Sequence, residues 1–266
     1  MPAKGGATSI PRALTIATSD SGGGAGIQAD LKAFAAAGVY GTSAVVALTA
    51  QNTREVTAVH ELPSDFIRAQ LHAVFEDIGV DAAKTGMLFS KSIVDTVADF
   101  LHQRRVPLVV DPVLIASSGA RLLLDDAVDT LVARLFPLAT VVTPNLNEAI
   151  ALAGFDGTRR KLAERLHELG APAVIVTGGH GDEAVDHLFA DGRHVEISID
   201  RQDVSATHGA GCTHSATLAA LLAKGVPLEA AAREAARVAS EAVRNGLVGI
   251  GGGEGPVDVL NLRGAA

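Results

Sequence analysis

Short apolar runs alternate along this chain with longer stretches in which apolar residues return every three or four positions. Residues 13–17, 42–50, 81–85, 107–110, 141–143 and 174–176 have the length and character of buried strands. A helix is expected over 27–37, ended by Gly38, and another over 65–77, capped by Ser64. A further helix falls between the strands at 81–85 and 107–110, and 51–62 reads as a polar connection. Residues 184–189 and 194–199 flank Asp191-Gly192 and predict an antiparallel hairpin. Two helices, 213–224 and 228–245, precede a glycine-rich tail. This alternation predicts an α/β fold of three layers, α/β/α, around a mostly parallel central sheet, with the hairpin as a small antiparallel edge. No linker or repeat divides the chain, so 1–266 is expected to form one domain, with 1–11 as an N-terminal extension. Sites in such folds gather at the carboxyl ends of the strands.

Composition narrows the picture. Of 266 residues, 48% are hydrophobic but only 3% aromatic, so Ala, Val, Leu and Ile must build the core. The net charge of −8, with no basic run, argues against nucleic acid or an anionic membrane as partner. An anionic substrate would need local help from helix ends, a metal or a few placed cations. One cysteine excludes an internal disulfide and any multi-cysteine zinc site. No apolar run reaches the length of a membrane span, and the start lacks the apolar core of a secretion signal. A cytoplasmic protein is expected.

The polar clusters fall where strand ends are predicted. The most informative is Thr207-His208-Gly209-Ala210-Gly211-Cys212-Thr213-His214-Ser215, which ends a polar stretch and opens an apolar run. Small residues let the backbone approach a ligand, and a helix start turns unpaired N–H groups and its dipole toward an anion. The lone Cys212 lies there. A helix start can lower a thiol pKa from about 8.5, whereas a buried cysteine is simply a small hydrophobe.

The glycine turn Thr18-Ser19-Asp20-Ser21-Gly22-Gly23-Gly24-Ala25-Gly26 lacks dinucleotide-binding spacing, because the third glycine would have to stand at Ile27. Asp30, beyond it, either binds a ligand hydroxyl or complements a helix dipole. Gln51 offers a donor and an acceptor side by side, suited to a heterocycle edge. In Lys84-Thr85-Gly86-Met87 the lysine is a surface charge or a site cation, and Met87 is core or ligand wall. Asp111-Pro112-Val113 puts a carboxylate where it could influence a metal or a phosphate. Asn145 and Glu148 form either a capping box or, through Glu148, a handle for hydrated Mg²⁺. Thr177-Gly178-Gly179-His180 is another glycine turn. An anion cradle, a metal handle and a base are the parts of a phosphoryl-transfer site. The P-loop, HExxH and GxSxG signatures are absent.

In order and spacing these motifs resemble the hydroxymethylpyrimidine/phosphomethylpyrimidine kinases of the ribokinase-like superfamily. That resemblance implies ATP-dependent phosphorylation, with Mg²⁺, of 4-amino-5-hydroxymethyl-2-methylpyrimidine and then of its monophosphate, in thiamine biosynthesis. It implies a homodimer. It assigns Gln51 to the pyrimidine edge, Asp30 to holding the substrate, and Met87 and Val113 to the ring walls, with Thr18 close to that pocket. Asp111 and Glu148 would lie near Mg²⁺ and phosphate, with Asn145. The amides of Gly209-Ala210-Gly211-Cys212 would form the anion hole, with Cys212 where related sugar kinases carry an aspartate base. Thr177, near Gly179, stands where many relatives have a lysine reaching nucleotide phosphate, so the cation would come from Mg²⁺ or Lys84. Ala210 replaces a usual threonine. Pyridoxal kinase is the nearest alternative, and a non-catalytic pyrimidine sensor is the alternative from another class.

Overall fold

The computed structural model describes residues 10–114, 125–179, 184–200 and 204–265. The strands are β1 (Arg12–Asp20), β2 (Tyr40–Gln51), β3 (Val56–Glu61), β4 (Ala82–Thr85), β5 (Leu108–Val110), β6 (Val141–Val142), β7 (Ala173–Val176), β8 (Val185–Ala190) and β9 (Arg193–Ser198). The helices are α1 (Gly26–Ala36), α2 (Ser64–Ala73), α3 (Lys91–His102), α4 (Asp125–Leu135), α5 (Leu146–Ala153), α6 (Arg159–Glu168), α7 (Ala210–Ala223) and α8 (Leu228–Arg244). One sheet runs in the order β3-β2-β1-β4-β5-β6-β7-β8-β9. Its centre, β2 to β7, is parallel. The chain is therefore the three-layer α/β fold that the alternation predicts.

The period-two pattern of the strands divides the core. Leu14, Ile16, Val46, Val110, Val142, Val174 and Val176 pack with Ile67, Leu71, Ile93, Val97, Leu131 and Leu162 on one face. Ala13, Val109, Val141, Ala173 and Ile175 pack on the other with Ala33, Phe34, Ala216, Ala219, Ala231 and Ala235. Both faces of the central strands are buried, which is why those strands read as continuous apolar runs. The alanines on the second face bring α1, α7 and α8 close to the sheet.

Several elements differ from the expectation. The polar connection after β2 contains β3, an antiparallel edge strand open to solvent, so antiparallel pairing occurs at both ends of the sheet. Three of the six β3 residues are exposed and none is buried, which hides the apolar alternation of a strand. Ser64 is the first residue of α2 and gives no side-chain cap; Pro63 holds the cap position. The last residues of that expected helix, Val74–Ile78, form a wider π turn. α7 begins at Ala210 instead of Thr213, so the glycine-rich turn is itself the first turn of the helix. Among the described residues no helix is long and apolar enough to cross a membrane.

Candidate active site

The parallel strands bring Asp20, Gln51, Gly86, Asp111, Asn145 and Thr177 to one edge of the sheet, and the start of α7 faces them. Gly209 adopts a left-handed conformation with φ of 84°. A β-carbon there would collide with the Gly24 carbonyl, so only glycine lets this turn pack on the loop after β1. The first helical bond runs from Thr213 N–H to the Gly209 carbonyl at 2.8 Å. The Ala210 amide donates to the Thr207 carbonyl at 3.1 Å. The anion hole expected across Gly209-Ala210-Gly211-Cys212 therefore narrows to the amides of Gly211 and Cys212, which precede the first helical bond. A β-carbon on Gly211 would meet only open space.

Beneath that turn lies a buried charge cluster. Lys84 is fully buried, and its ammonium donates to Asp30 at 2.9 and 3.1 Å. It also lies 3.5 Å from Asp111 Oδ2. Thr15 Oγ1 donates to Asp30 at 2.6 Å, and Ser215 Oγ to Asp111 at 2.7 Å. Burial alone would lower the Lys84 pKa, but the negative charges around it outweigh burial and raise it. Two expectations change. Lys84 is no surface charge, and its ammonium is held by aspartates instead of standing free for phosphate. Asp30 is fully buried, so in this arrangement it supports the site from below and has no surface open to a ligand.

Cys212 is affected by the same cluster. Burial pushes its thiol up to about 12, and Asp30 and Asp111 add to that, while Lys84 and the Gly26 N–H oppose it. The lowering expected from the helix start is overridden, and Cys212 is a neutral thiol at pH 7.

Asp111 and Glu148 form the second feature. Asn145 caps α5, and the capping box is complete: Asn145 Oδ1 accepts from Glu148 N–H at 2.9 Å, and Glu148 Oε2 from Asn145 N–H at 2.9 Å. Glu148 Oε1 also accepts from Leu114 N–H at 3.3 Å. Burial first, and then the Asp111 charge, push the Glu148 carboxyl up to about 8. Both Glu148 oxygens are thus engaged by backbone N–H groups, as the capping reading of the sequence expects. Among the described residues no group of three or more His, Cys, Asp or Glu side chains could hold a metal.

Two imidazole–carboxylate pairs flank the α7 turn, and sequence reasoning missed both. On one side the Asp20 carboxylate accepts from the amides of Gly22, Gly24 and Ala25 at 2.7, 3.1 and 2.8 Å. His208 Nε2 lies 3.2 Å from Asp20 Oδ2 and 3.5 Å from Gln51 Nε2. Burial would raise the Asp20 pKa, but His208 and the backbone amides lower it overall. On the other side His214 Nε2 lies 3.2 Å from Asp186 Oδ2, while Asp186 Oδ1 accepts from Gly178 N–H at 2.6 Å. Asp20 and His208 stood inside the quoted clusters; a carboxylate just before a glycine turn is the usual mark of a side chain folding back on backbone amides.

The remaining candidates divide. Thr18 is buried, and its hydroxyl donates to the Met87 carbonyl at 3.0 Å. Met87 is buried, while Val113 is partly exposed. Thr177 N–H donates to the Pro144 carbonyl at 2.9 Å, which joins the ends of β6 and β7. Gly179 is exposed with open space around it. His180 lies outside the described residues.

The decisive comparison is with protein families. The family model for phosphomethylpyrimidine kinase matches residues 20–258. The chain belongs to the phosphomethylpyrimidine kinase family. It is 48% identical to a hydroxymethylpyrimidine/phosphomethylpyrimidine kinase of Rhizobium meliloti, covering 92% of this chain and 95% of that protein. A relative of the same name in Haemophilus influenzae is 46% identical over 94% of this chain and 97% of its own length. Among solved structures, an ADP complex of Bacillus subtilis pyridoxal kinase superposes with a TM-score of 0.87 at 37% identity, covering 96% and 99% of the two chains. The phosphomethylpyrimidine kinase of Clostridium difficile 630 superposes with a TM-score of 0.76 at 39% identity, covering 86% and 96%. The ribokinase-like architecture expected of the chain is thereby established.

Proposed function

We propose that the protein transfers the γ-phosphoryl group of ATP to the hydroxymethyl oxygen of 4-amino-5-hydroxymethyl-2-methylpyrimidine, then phosphorylates the monophosphate, in thiamine biosynthesis. The observation that carries this reading is the meeting of three parts at one strand edge. They are the α7 turn with the Gly211 and Cys212 amides, Gln51 beyond β2, and the Asp111–Glu148 pair, in a chain matched to this family over residues 20–258.

Each residue has a physical task. Gln51 reads the aminopyrimidine edge, since its carboxamide can accept from the exocyclic amine and donate to a ring nitrogen. The Gly211 and Cys212 amides, with the α7 dipole behind them, stabilise charge on the transferred phosphoryl group. Cys212, as a neutral thiol, positions the hydroxymethyl group instead of acting as a standing thiolate base. A loose phosphoryl-transfer transition state needs little help from a base. Lys84 and Asp30 hold the floor beneath this turn. Thr177 and Gly179 stand on the nucleotide side, together with Asn145.

The residues fit Mg²⁺. Asp111 and Glu148 are two carboxylates whose mutual repulsion a divalent cation relieves, and Mg²⁺ keeps most of its waters and uses few protein ligands. When bound with ATP it neutralises phosphate charge. The resemblance also supports a homodimer in the cytoplasm.

The test follows ADP release with Mg-ATP and, separately, the hydroxymethylpyrimidine, its monophosphate and pyridoxal. Turnover of both pyrimidines is expected. Turnover of pyridoxal alone would move the reading to pyridoxal kinase, and no ADP with any acceptor would leave a non-catalytic binder.

A further inference from the structure

Hydrogen-bond accounting around Gln51 assigns a task to His208. Asp20 is ionised, because the imidazole and the Gly22 and Ala25 amides outweigh burial and lower its pKa, so a lone pair on His208 Nε2 facing it at 3.2 Å would be repelled. Nε2 therefore carries the hydrogen. The same nitrogen lies 3.5 Å from the Gln51 carboxamide, and two N–H donors cannot face each other. Gln51 must turn its oxygen toward His208 and its NH₂ toward Thr49. Thr49 Oγ1 lies 3.1 Å from the carboxamide and 3.0 Å from the Ser19 carbonyl, and its one hydrogen serves only one of them. With the NH₂ donating to Thr49 Oγ1, Thr49 donating to Ser19, and the one Nε2 hydrogen shared between Asp20 Oδ2 and the Gln51 oxygen, no donor is left facing a donor.

We infer that His208 is a positioning residue for substrate recognition: its Nε2–H, oriented by Asp20, fixes which way the Gln51 carboxamide presents its donor and acceptor to the ring. The consequence reaches the phosphate side as well. His208 precedes the left-handed Gly209, its N–H donates to the Gly255 carbonyl at 3.1 Å, and a β-carbon on Gly24 would collide with its ring. One imidazole thus locks the glycine turn after β1, the ring-reading residue and the entry to the anion hole in a single register. Neither Asp20 nor His208 touches the reacting atoms; both act through Gln51.

This inference rests on Gln51 reading the pyrimidine edge, and the experiment separates the two ideas. KM and kcat for the hydroxymethylpyrimidine are measured for the wild type, His208→Ala, Gln51→Ala and the double variant, with melting curves for each. His208→Ala is expected to raise KM about three- to tenfold, the size of one net hydrogen bond, with a smaller change in kcat. In the Gln51→Ala background the same change is expected to move KM less than twofold, because the group it orients is gone. His208→Gln, which keeps a donor near Nε2, should restore most of the wild-type KM, and Asp20→Asn should raise KM in the same direction. Equal KM effects of His208→Ala in the two backgrounds would overturn the inference while leaving the kinase reading standing. If His208→Ala does not fold, Asp20→Asn runs through the same cycle with Gln51→Ala, and additivity there overturns it equally. A wild type that does not phosphorylate the pyrimidine would instead remove the reading beneath it.

Discussion

Replacing Lys84 with methionine removes a positive charge from a place where water cannot follow. The ammonium lies 2.9 Å from Asp30 and 3.5 Å from Asp111, and Asp30 has no exposed surface. At an effective dielectric near 20 the first contact alone represents about 6 kcal/mol of attraction. Part of that loss is recovered when the stranded Asp30 takes up a proton, and breaking one side of a buried pair typically costs about 3–5 kcal/mol. Lys84→Met is therefore expected to lose about 3–5 kcal/mol in urea unfolding, a large share of the roughly 5–15 kcal/mol that holds a domain together. The loss carries a sign in pH. Burial already raises the Asp30 pKa, with Lys84 opposing; without Lys84 it rises further. A carboxyl raised in the folded state stabilises at low pH and loses that contribution as pH rises through its folded value. The deficit of the variant should therefore grow from pH 5 to pH 8, by at most about 1.4 kcal/mol per unit. Lys84→Met/Asp30→Leu, which leaves no orphan charge at this pair, should be more stable than Lys84→Met. A single-variant loss below about 1 kcal/mol, or a double variant less stable than the single, would refute the buried-pair reasoning.

Other predictions follow from the same geometry. The Glu148 carboxyl, raised to about 8, contributes stability that is complete below its ordinary value and lost as pH rises through about 8. Metal-free protein should therefore melt lower at pH 8.5 than at pH 5.5, with Mg²⁺ narrowing the gap; a gap that Mg²⁺ leaves untouched counts against cation binding there. Gly209→Ala places a methyl group against the Gly24 carbonyl in a left-handed backbone, and should cost about 1–3 kcal/mol in melting experiments. Gly211→Ala meets open space and should leave melting within about 1 kcal/mol, so any fall in activity reports on ligand access. A Cys212 thiol held near 12 should alkylate with iodoacetamide at pH 8 at least about a hundredfold more slowly than a free thiol of pKa about 8.5. A rate within threefold of the free thiol would restore the thiolate base.

The parallel core was legible because its strands are buried on both faces and their apolar runs are unbroken, as in Val174–Val176. β3 was not, since an open edge strand mixes Thr57, His60 and Glu61 with its apolar residues. Within the site, the glycine turn before α7 was visible in composition alone. Sequence could not show that burial would reverse the helix-start effect on Cys212, because that depends on Asp30 and Asp111 arriving from distant segments. Lys84 illustrates the same limit. Its neighbours in sequence give no hint of a buried ammonium, and only the packing of α1 on β1 and the pairing of β4 with β1 and β5 bring Asp30 and Asp111 to its side. The Asp20–His208 and Asp186–His214 pairs likewise join residues 188 and 28 positions apart, a separation no local motif encodes.

The central claim is that one site phosphorylates the pyrimidine alcohol and then its monophosphate. Mass spectrometry of a single reaction with Mg-ATP and 4-amino-5-hydroxymethyl-2-methylpyrimidine tests it most directly. The account predicts a monophosphate that appears first and is consumed as the diphosphate accumulates, with both steps lost together in Gln51→Ala. Unchanged substrate after prolonged incubation, or a Gln51→Ala protein that makes the diphosphate at the wild-type rate, would contradict it.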